Sequence, residues 1–170
     1  MSLMHSILGL LDVRPMTGYD LKKAFDGSVG HFWNADQAQI YRTLSKLSSD
    51  GLVHVSVVAQ EGRPDRKEHR LTQAGREELS RWLRSPIPEE PSREPFLARI
   101  FFAGSEQDPE LIRALIGARR TAAHQQLQSL TAVETSRASL ADRLRAATLN
   151  NGIQHIKTEL SWLDELEEAL

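Results

Sequence analysis

A chain of 170 residues, 40% hydrophobic and 26% charged, has the make-up of a globular protein, with room for one sizeable core or two small ones. The absence of cysteine excludes a disulfide framework, a thiolate nucleophile and a Cys-based zinc site, and agrees with a cytoplasmic protein. No apolar run nears the roughly 20 residues of a membrane span, and no leader precedes a cleavage site, so no membrane partner is expected.

The net charge of −2 argues at first against nucleic acid, but it is unevenly spread. Residues 1–85 hold 12 Lys and Arg against 10 Asp and Glu, and residues 86–170 hold 9 against 13. Any basic footprint is therefore local to the first half and small, so affinity for DNA would come from a few placed contacts and fall as salt rises.

In chain order, Met1 to Leu3 ahead of Met4 reads as a cloning remnant. Ser2 to Asp12 carries Leu3, Ile7, Leu10 and Leu11 at helical spacing and stops before Pro15, which predicts a first helix with His5 at a surface or interface. Thr17 caps a second helix, Gly18 to Phe25, with Leu21, Ala24 and Phe25 inward and Lys22 and Lys23 outward. Asp26 to Ala35 is a turn in which Phe32 and Trp33 are expected to anchor the loop.

A third helix runs from Asp36, an N-cap, to Asp50, where Gly51 supplies a left-handed stop. Ile40, Leu44 and Leu47 recur at i, i+4, i+7 and form its buried stripe. The opposite face carries Ala38, Arg42, Ser45 and Lys46, with Gln39 and Tyr41 on its shoulders. Ala38 permits close approach to a groove, Gln39 and Arg42 can bond base edges, and Tyr41 and Lys46 suit phosphates. The same face also fits an ordinary solvated helix.

Leu52 to Ala59 and Glu68 to Thr72 read as two strands of a β-ribbon, joined by a tip, Gln60 to Lys67, in which Gly62 and Pro64 make the turn and Arg63, Arg66 and Lys67 cluster. Alone this is a solvated hairpin; beside a groove-reading helix it becomes a wing that straddles phosphates. Helix, helix, helix, ribbon, helix is the order of a winged helix-turn-helix, in which the helix before the reading helix crosses the backbone. Tyr19, Lys22 and Lys23 are then phosphate candidates, Tyr19 equally a packing residue with its hydroxyl at the rim. The DNA-contacting set is Tyr19, Lys22, Gln39, Tyr41, Arg42, Lys46, Arg63, Arg66 and Lys67.

Thr72 caps a fourth helix to about Arg84, with Leu79, Trp82 and Leu83 inward. Four prolines between Ser85 and Pro95 cannot sustain a helix, so residues 86–95 read as a linker between a domain at 1–85 and another at 96–170. Phe96 to Ala103 is a short apolar helix. Ser105 or Asp108 caps a long helix through Leu111, Leu115, Ala118, Ala122, Leu127 and Leu130, and a last helix runs from about Leu140. Its stripe, Leu149, Ile153, Ile156, Leu160 and Leu163, alternates steps of four and three, the seam of a helix pair. That seam can close an intramolecular hairpin, a homodimer, or both.

Particular blocks along the first 85 residues also carry a family resemblance: Ile7 to Leu11, Thr17 to Lys23, Gly30 to Trp33, Gln39 to Tyr41, Asp50 to Val53, Glu61 to Pro64 and Leu71 to Gly75. In this order and spacing they resemble the PadR family of bacterial transcriptional regulators. More loosely, Phe101 to Ala103 and Glu159 to Leu163 are similar to the helical C-terminal domain of the subgroup related to virulence-gene activators. The resemblance implies a mainly α fold with a small β-ribbon, and a homodimeric, ligand-modulated transcription factor, most often a repressor, that binds double-stranded DNA at paired half-sites. It also implies a small, often aromatic effector, for which Trp82, Phe96, Phe101, Phe102 and Trp162 are candidate lining, though aromatics at helical spacing are more often core. A winged helix that binds protein instead of DNA is the alternative.

An enzyme is not expected. The chain lacks a phosphate-cradling Gly-rich Lys loop, a dinucleotide fingerprint and a Gly-x-Ser-x-Gly turn. Its six histidines, His5, His31, His54, His69, His124 and His155, have no ligand spacing, so no cofactor or metal is expected.

Overall fold

The computed structural model describes residues 3–30, 32–33, 35–58, 66–87 and 94–170. It divides into two compact units, Met1–Glu89 and Glu90–Leu170, and the division falls within the Pro-rich stretch. Of that stretch, residues 88–93 lie outside the described residues, as do His31 and the ribbon tip 59–65 with Arg63. Pro95 belongs to the following helix as its first residue, where a missing N–H costs nothing.

The first unit contains α1 (Leu3–Val13), β1 (Met16–Thr17), α2 (Gly18–Asp26), α3 (Gln37–Ser49), β2 (Val53–Val58), β3 (Arg66–Leu71) and α4 (Gln73–Arg84). The expected two-stranded ribbon is a three-stranded antiparallel sheet in the order β1-β3-β2. Met16 and Thr17, too short a run for any periodicity to reveal, pair with His69 and Glu68 and tie the start of α2 to the ribbon. In β2 and β3, Val53 faces Leu71 and Val55 faces His69.

One core holds these elements together. Ile7, Leu8, Leu21, Phe25, Ile40 and Leu47 have no exposed surface, and Leu44, Val53, Leu71 and Leu79 join them. Burying each such side chain contributes about 1.5–3 kcal/mol. Trp33 packs against this core as expected, whereas Phe32 is exposed. On α4, Leu83 is 67% exposed, so the inward residues are Leu79 and half-buried Trp82. His5 is not at the surface: it is buried, stacks parallel on Trp82 with ring centroids 4.8 Å apart, and meets Glu78 Oε1 through Nε2 at 3.2 Å.

The junction between β2 and α4 is unusually close. The Thr72 hydroxyl donates to the carbonyls of Gly51 and Leu52 and accepts from the Gly75 N–H, while the Thr72 N–H donates to Leu52 O. Gly51 takes a left-handed φ of 72°, which turns the chain from α3 into β2.

The second unit contains α5 (Pro95–Ala103), a 3₁₀ turn (Gly104–Glu106), α6 (Pro109–Thr131) and α7 (Leu140–Glu168). Asp108 caps α6 and Ser139 caps α7, the latter in a reciprocal capping box with Asp142. The two long helices pair as a hairpin. On α6 the expected Leu130 is buried, together with Ile116 and Ala123, whereas the expected Leu111, Ala118 and Ala122 are exposed.

On α7, Ile156 and Leu163 are buried within the single chain, and Leu149, Ile153 and Leu160 are half-buried against the Ala123–Leu130–Ile156 cluster. Arg119 Nε to Glu159 at 2.6 Å and Arg120 Nη2 to Asp164 and Glu167 at 2.9 and 2.7 Å bridge the hairpin. Phe96 meets Trp162 edge-to-face at 6.1 Å, while Phe101 and Phe102 are not core at all, being 82% and 68% exposed.

Candidate nucleic-acid interface

The third helix is held at its start by a reciprocal cap. Asp36 Oδ1 accepts from the Gln39 N–H at 2.7 Å, and Gln39 Oε1 accepts from the Asp36 N–H at 3.0 Å. Gln39, expected to read a base, thus has its amide oxygen engaged in the cap. Because Ile40, Leu44 and Leu47 are buried, the opposite side of α3 presents Ala38, Arg42, Ser45 and Lys46 to solvent. A short side chain flanked by a guanidinium, a hydroxyl and an ammonium is a surface able to enter a groove and bond to it.

Beside this face runs a groove of about 870 Å³ between α3, the start of α2 and strand β3, lined by Tyr19, Tyr41, Ser45, Ser49, Lys67 and His69 among others. Tyr41 leaves the shoulder of α3 and covers Gly18, where a Cβ would lie 2.6 Å from its ring. Hydroxyls, the Arg66 guanidinium, the Lys67 ammonium and the apolar Leu44 and Val55 therefore border the space next to the exposed face of α3. Tyr19 is 70% exposed, free of the core.

Several expected contacts are placed differently. Lys22 Nζ bonds both carboxylate oxygens of Asp26, at 2.5 and 2.6 Å, so its charge is largely answered within α2. Arg66 and Lys67, expected at the ribbon tip, stand in β3. Arg66 Nη2 donates to Asp20 Oδ2 at 2.6 Å, and Asp20 also receives the Thr17 hydroxyl at 2.7 Å. The Thr17 hydroxyl, followed by Arg66, holds the Asp20 carboxyl below its ordinary pKa, against the opposing effect of burial.

Thr17 was legible as the cap of α2, whereas Asp20, three residues on, was not singled out. Its partner Arg66, 46 residues away, left no local signal. The other residue missed was His69: burial lowers its pKa below the ordinary histidine value, assisted by Lys67 and opposed by a hydrogen bond to the Met16 backbone.

Among the described residues, no group of three or more His, Asp or Glu side chains is set to hold a metal ion. No described helix is long and apolar enough to cross a membrane.

Comparison with known proteins agrees with this geometry. Residues 7–81 match the Transcriptional regulator PadR-like family and residues 92–170 match the Virulence activator alpha C-term family. A probable transcriptional regulator of Mycobacterium tuberculosis is 32% identical over 100% of this chain and 98% of its own length. The Bacillus subtilis negative transcriptional regulator PadR is 29% identical over 96% of this chain and 94% of its own.

The crystal structure of Bacillus subtilis PadR with operator DNA superposes with a TM-score of 0.82 at 28% identity, covering 98% of both chains. The same regulator with p-coumaric acid gives 0.72 at 27% identity, covering 98% of this chain and 97% of that one. With its three helices, ribbon and two-helix hairpin in this order, the chain belongs to the PadR-like family of transcriptional regulators.

Proposed function

We propose that this regulator is a repressor that binds a pseudo-palindromic operator as a homodimer, in the cytoplasm, and is released by a small aromatic acid. The observation that carries the DNA contact is the exposed Ala38–Arg42–Ser45–Lys46 face of α3, flanked by a groove that Tyr19, Tyr41 and Lys67 line. In this reading Arg42 bonds base edges, while Tyr19, Tyr41, Lys46 and Lys67 hold phosphates and set the helix in the major groove. Two copies would read half-sites one helical turn, about 10 bp, or a multiple apart.

The partner copy is assigned to the apolar surface that one chain leaves uncovered: Leu97, Phe101 and Phe102 of α5, with the half-buried edges of Leu149, Ile153 and Leu160. Contiguous exposed aromatics of this kind mark interaction sites. Ile156 and Leu163 act inside the hairpin. The effector class follows the p-coumaric acid bound by the Bacillus subtilis relative. An effector that favours one dimer geometry would change DNA affinity by about 1–3 kcal/mol through half-site spacing. The chain binds and does not catalyse.

The test is fluorescence anisotropy with the duplex upstream of the chain's own gene against a scrambled duplex, at two salt concentrations. Preference for the natural sequence, saturating at one dimer per site and lost on adding a phenolic acid, supports the reading. Equal weak binding to this duplex and to operators selected from a random library overturns it.

A further inference from the structure

We propose that Arg66 is a positioning residue rather than a phosphate contact: with Asp20 it latches the wing to the start of α2 and sets the wing's angle to the reading helix. The inference rests on the DNA-reading role proposed above and deepens it.

Three observations converge. Asp20 Oδ2 accepts from both Arg66 Nη2, at 2.6 Å, and the Thr17 hydroxyl, at 2.7 Å, so the carboxylate is held from two sides. Thr17 is at once the N-cap of α2 and the last residue of β1, paired with Glu68 of β3. The latch thus extends the β1–β3 ladder beyond its end, toward the tip, where the sheet has only two strands. Thr17, Gly18, Tyr19 and Arg66 line the same groove as Tyr41 and Ser45 of α3, so the pair that ties Arg66 to α2 lies at the border of the proposed DNA-facing surface.

The charge balance favours position over contact. Asp20 is the third residue of α2, where the helix N-terminus stabilises a negative charge, and the Thr17 hydroxyl holds its pKa below the ordinary value. A phosphate that approaches Arg66 meets this carboxylate, which already holds Nη2. Among the described residues, Lys67, the next residue on β3, has no carboxylate partner, and it borders the same groove.

The two roles make opposite predictions for Asp20→Asn. If Arg66 is a latch, Asp20→Asn and Arg66→Ala each weaken binding to the natural duplex several-fold, the double variant is no worse than either, and the slope of log K against log salt matches that of the unmodified protein. If Arg66 is a phosphate contact restrained by Asp20, Asp20→Asn frees it and tightens binding, and Arg66→Ala lowers the slope by about 0.9. That second pattern overturns the proposal.

A readout without DNA separates this from the DNA reading itself. The chain has no cysteine, so Lys23→Cys on α2 and Val57→Cys on β2, both exposed, accept spin labels at two chosen points. Diluted with unlabelled protein, the pair reports the α2-to-wing distance within one chain. A distribution that broadens or shifts with Asp20→Asn supports the latch even if no duplex binds, and an unchanged distribution overturns it even if DNA binding is normal. Retained helical circular dichroism shows that the variants are folded.

Discussion

Tyr41 of α3 lies over Gly18 of α2 so closely that a Cβ on Gly18 would sit 2.6 Å from the ring. The conflicting atoms are all at the far end of the tyrosine, which is 42% exposed and free to swing outward. Gly18→Ala should therefore leave the fold intact, within about 1 kcal/mol, since alanine is the better helix former. Its effect falls on the hydroxyl, moved off the groove wall. Operator affinity should drop in Gly18→Ala, drop likewise in Tyr41→Ala, and fall no further in the double variant. Additive losses measured by anisotropy would show that the ring position is not what Gly18 protects.

Gly75 is the contrasting case. A Cβ there would lie 2.3 Å from the Leu52 carbonyl oxygen and 2.7 Å from Leu71 Cδ1, and the first of these is backbone locked by bonds from Thr72. Nothing can swing away, so the β2–α4 junction must open. Gly75→Ala is expected to destabilise the first unit by about 1–3 kcal/mol or more, as overpacking does. For a unit of this size that lowers the melting temperature by about 4–8 °C per kcal/mol. A melting curve unchanged by Gly75→Ala would contradict the packing described.

These two glycines mark the boundary of what the chain discloses without a structure. The third helix was legible because its signals are local: Asp36 before it, Gly51 after it, and Ile40, Leu44 and Leu47 at helical spacing. The outer face followed by geometry, and Arg42, Ser45 and Lys46 are where the spacing puts them. Long-range relations were not legible. Nothing near Arg66 announces Asp20, and two residues of β1 carry no period.

The second unit misled for another reason. α6 has Leu or Ala on most sides, so its partner chooses the buried face, and α7 packs on Ala123 as well as on the expected Leu130. Leu83 and Phe101 show the complementary limit: an apolar residue at a helical position is compatible with burial but does not require it.

Arg42 and Lys46 sit one turn apart on the exposed face of α3 and are assigned different tasks, one to bases and one to phosphate. Arg42→Ala should cost about 1–3 kcal/mol on the natural operator and relax preference at one base position. Lys46→Ala or Lys67→Ala should weaken all sequences alike and reduce the salt slope by about 0.9 each. Anisotropy with single-base operator variants separates the two. Equal loss on natural and random DNA from Arg42→Ala would remove its base-reading role.

The hairpin and the proposed dimer contact are separable because they use different side chains. Leu163 has no exposed surface in the single chain, so Leu163→Ala should lower stability by about 2–5 kcal/mol, seen in thermal or denaturant unfolding. Phe101 is 82% exposed and supports no core. Phe101→Glu should keep the helical circular dichroism and shift sedimentation velocity from dimer to monomer. A dimer that persists in Phe101→Glu moves the interface away from α5.

His69 gives the first unit an acid sensitivity. Its Nδ1 is buried with no hydrogen-bond partner among the described residues, and burial, then the nearby Lys67, lowers the pKa below the ordinary 6.5, only partly offset by the Met16 backbone. The folded state therefore prefers the neutral ring. As pH falls below 6.5 the unfolded chain takes up a proton at this site before the folded one does. Stability contributed by the neutral ring is thus full above the unfolded value and is lost progressively as pH falls toward the folded pKa.

The loss is at most about 1.4 kcal/mol per pH unit for one proton. In His69→Gln the site cannot titrate. Between about pH 7.5 and 5.5 the melting temperature of the unmodified protein should therefore fall more than that of His69→Gln, carboxylate effects being common to both. Parallel curves would mean that His69 titrates alike in both states and that its burial carries no charge penalty.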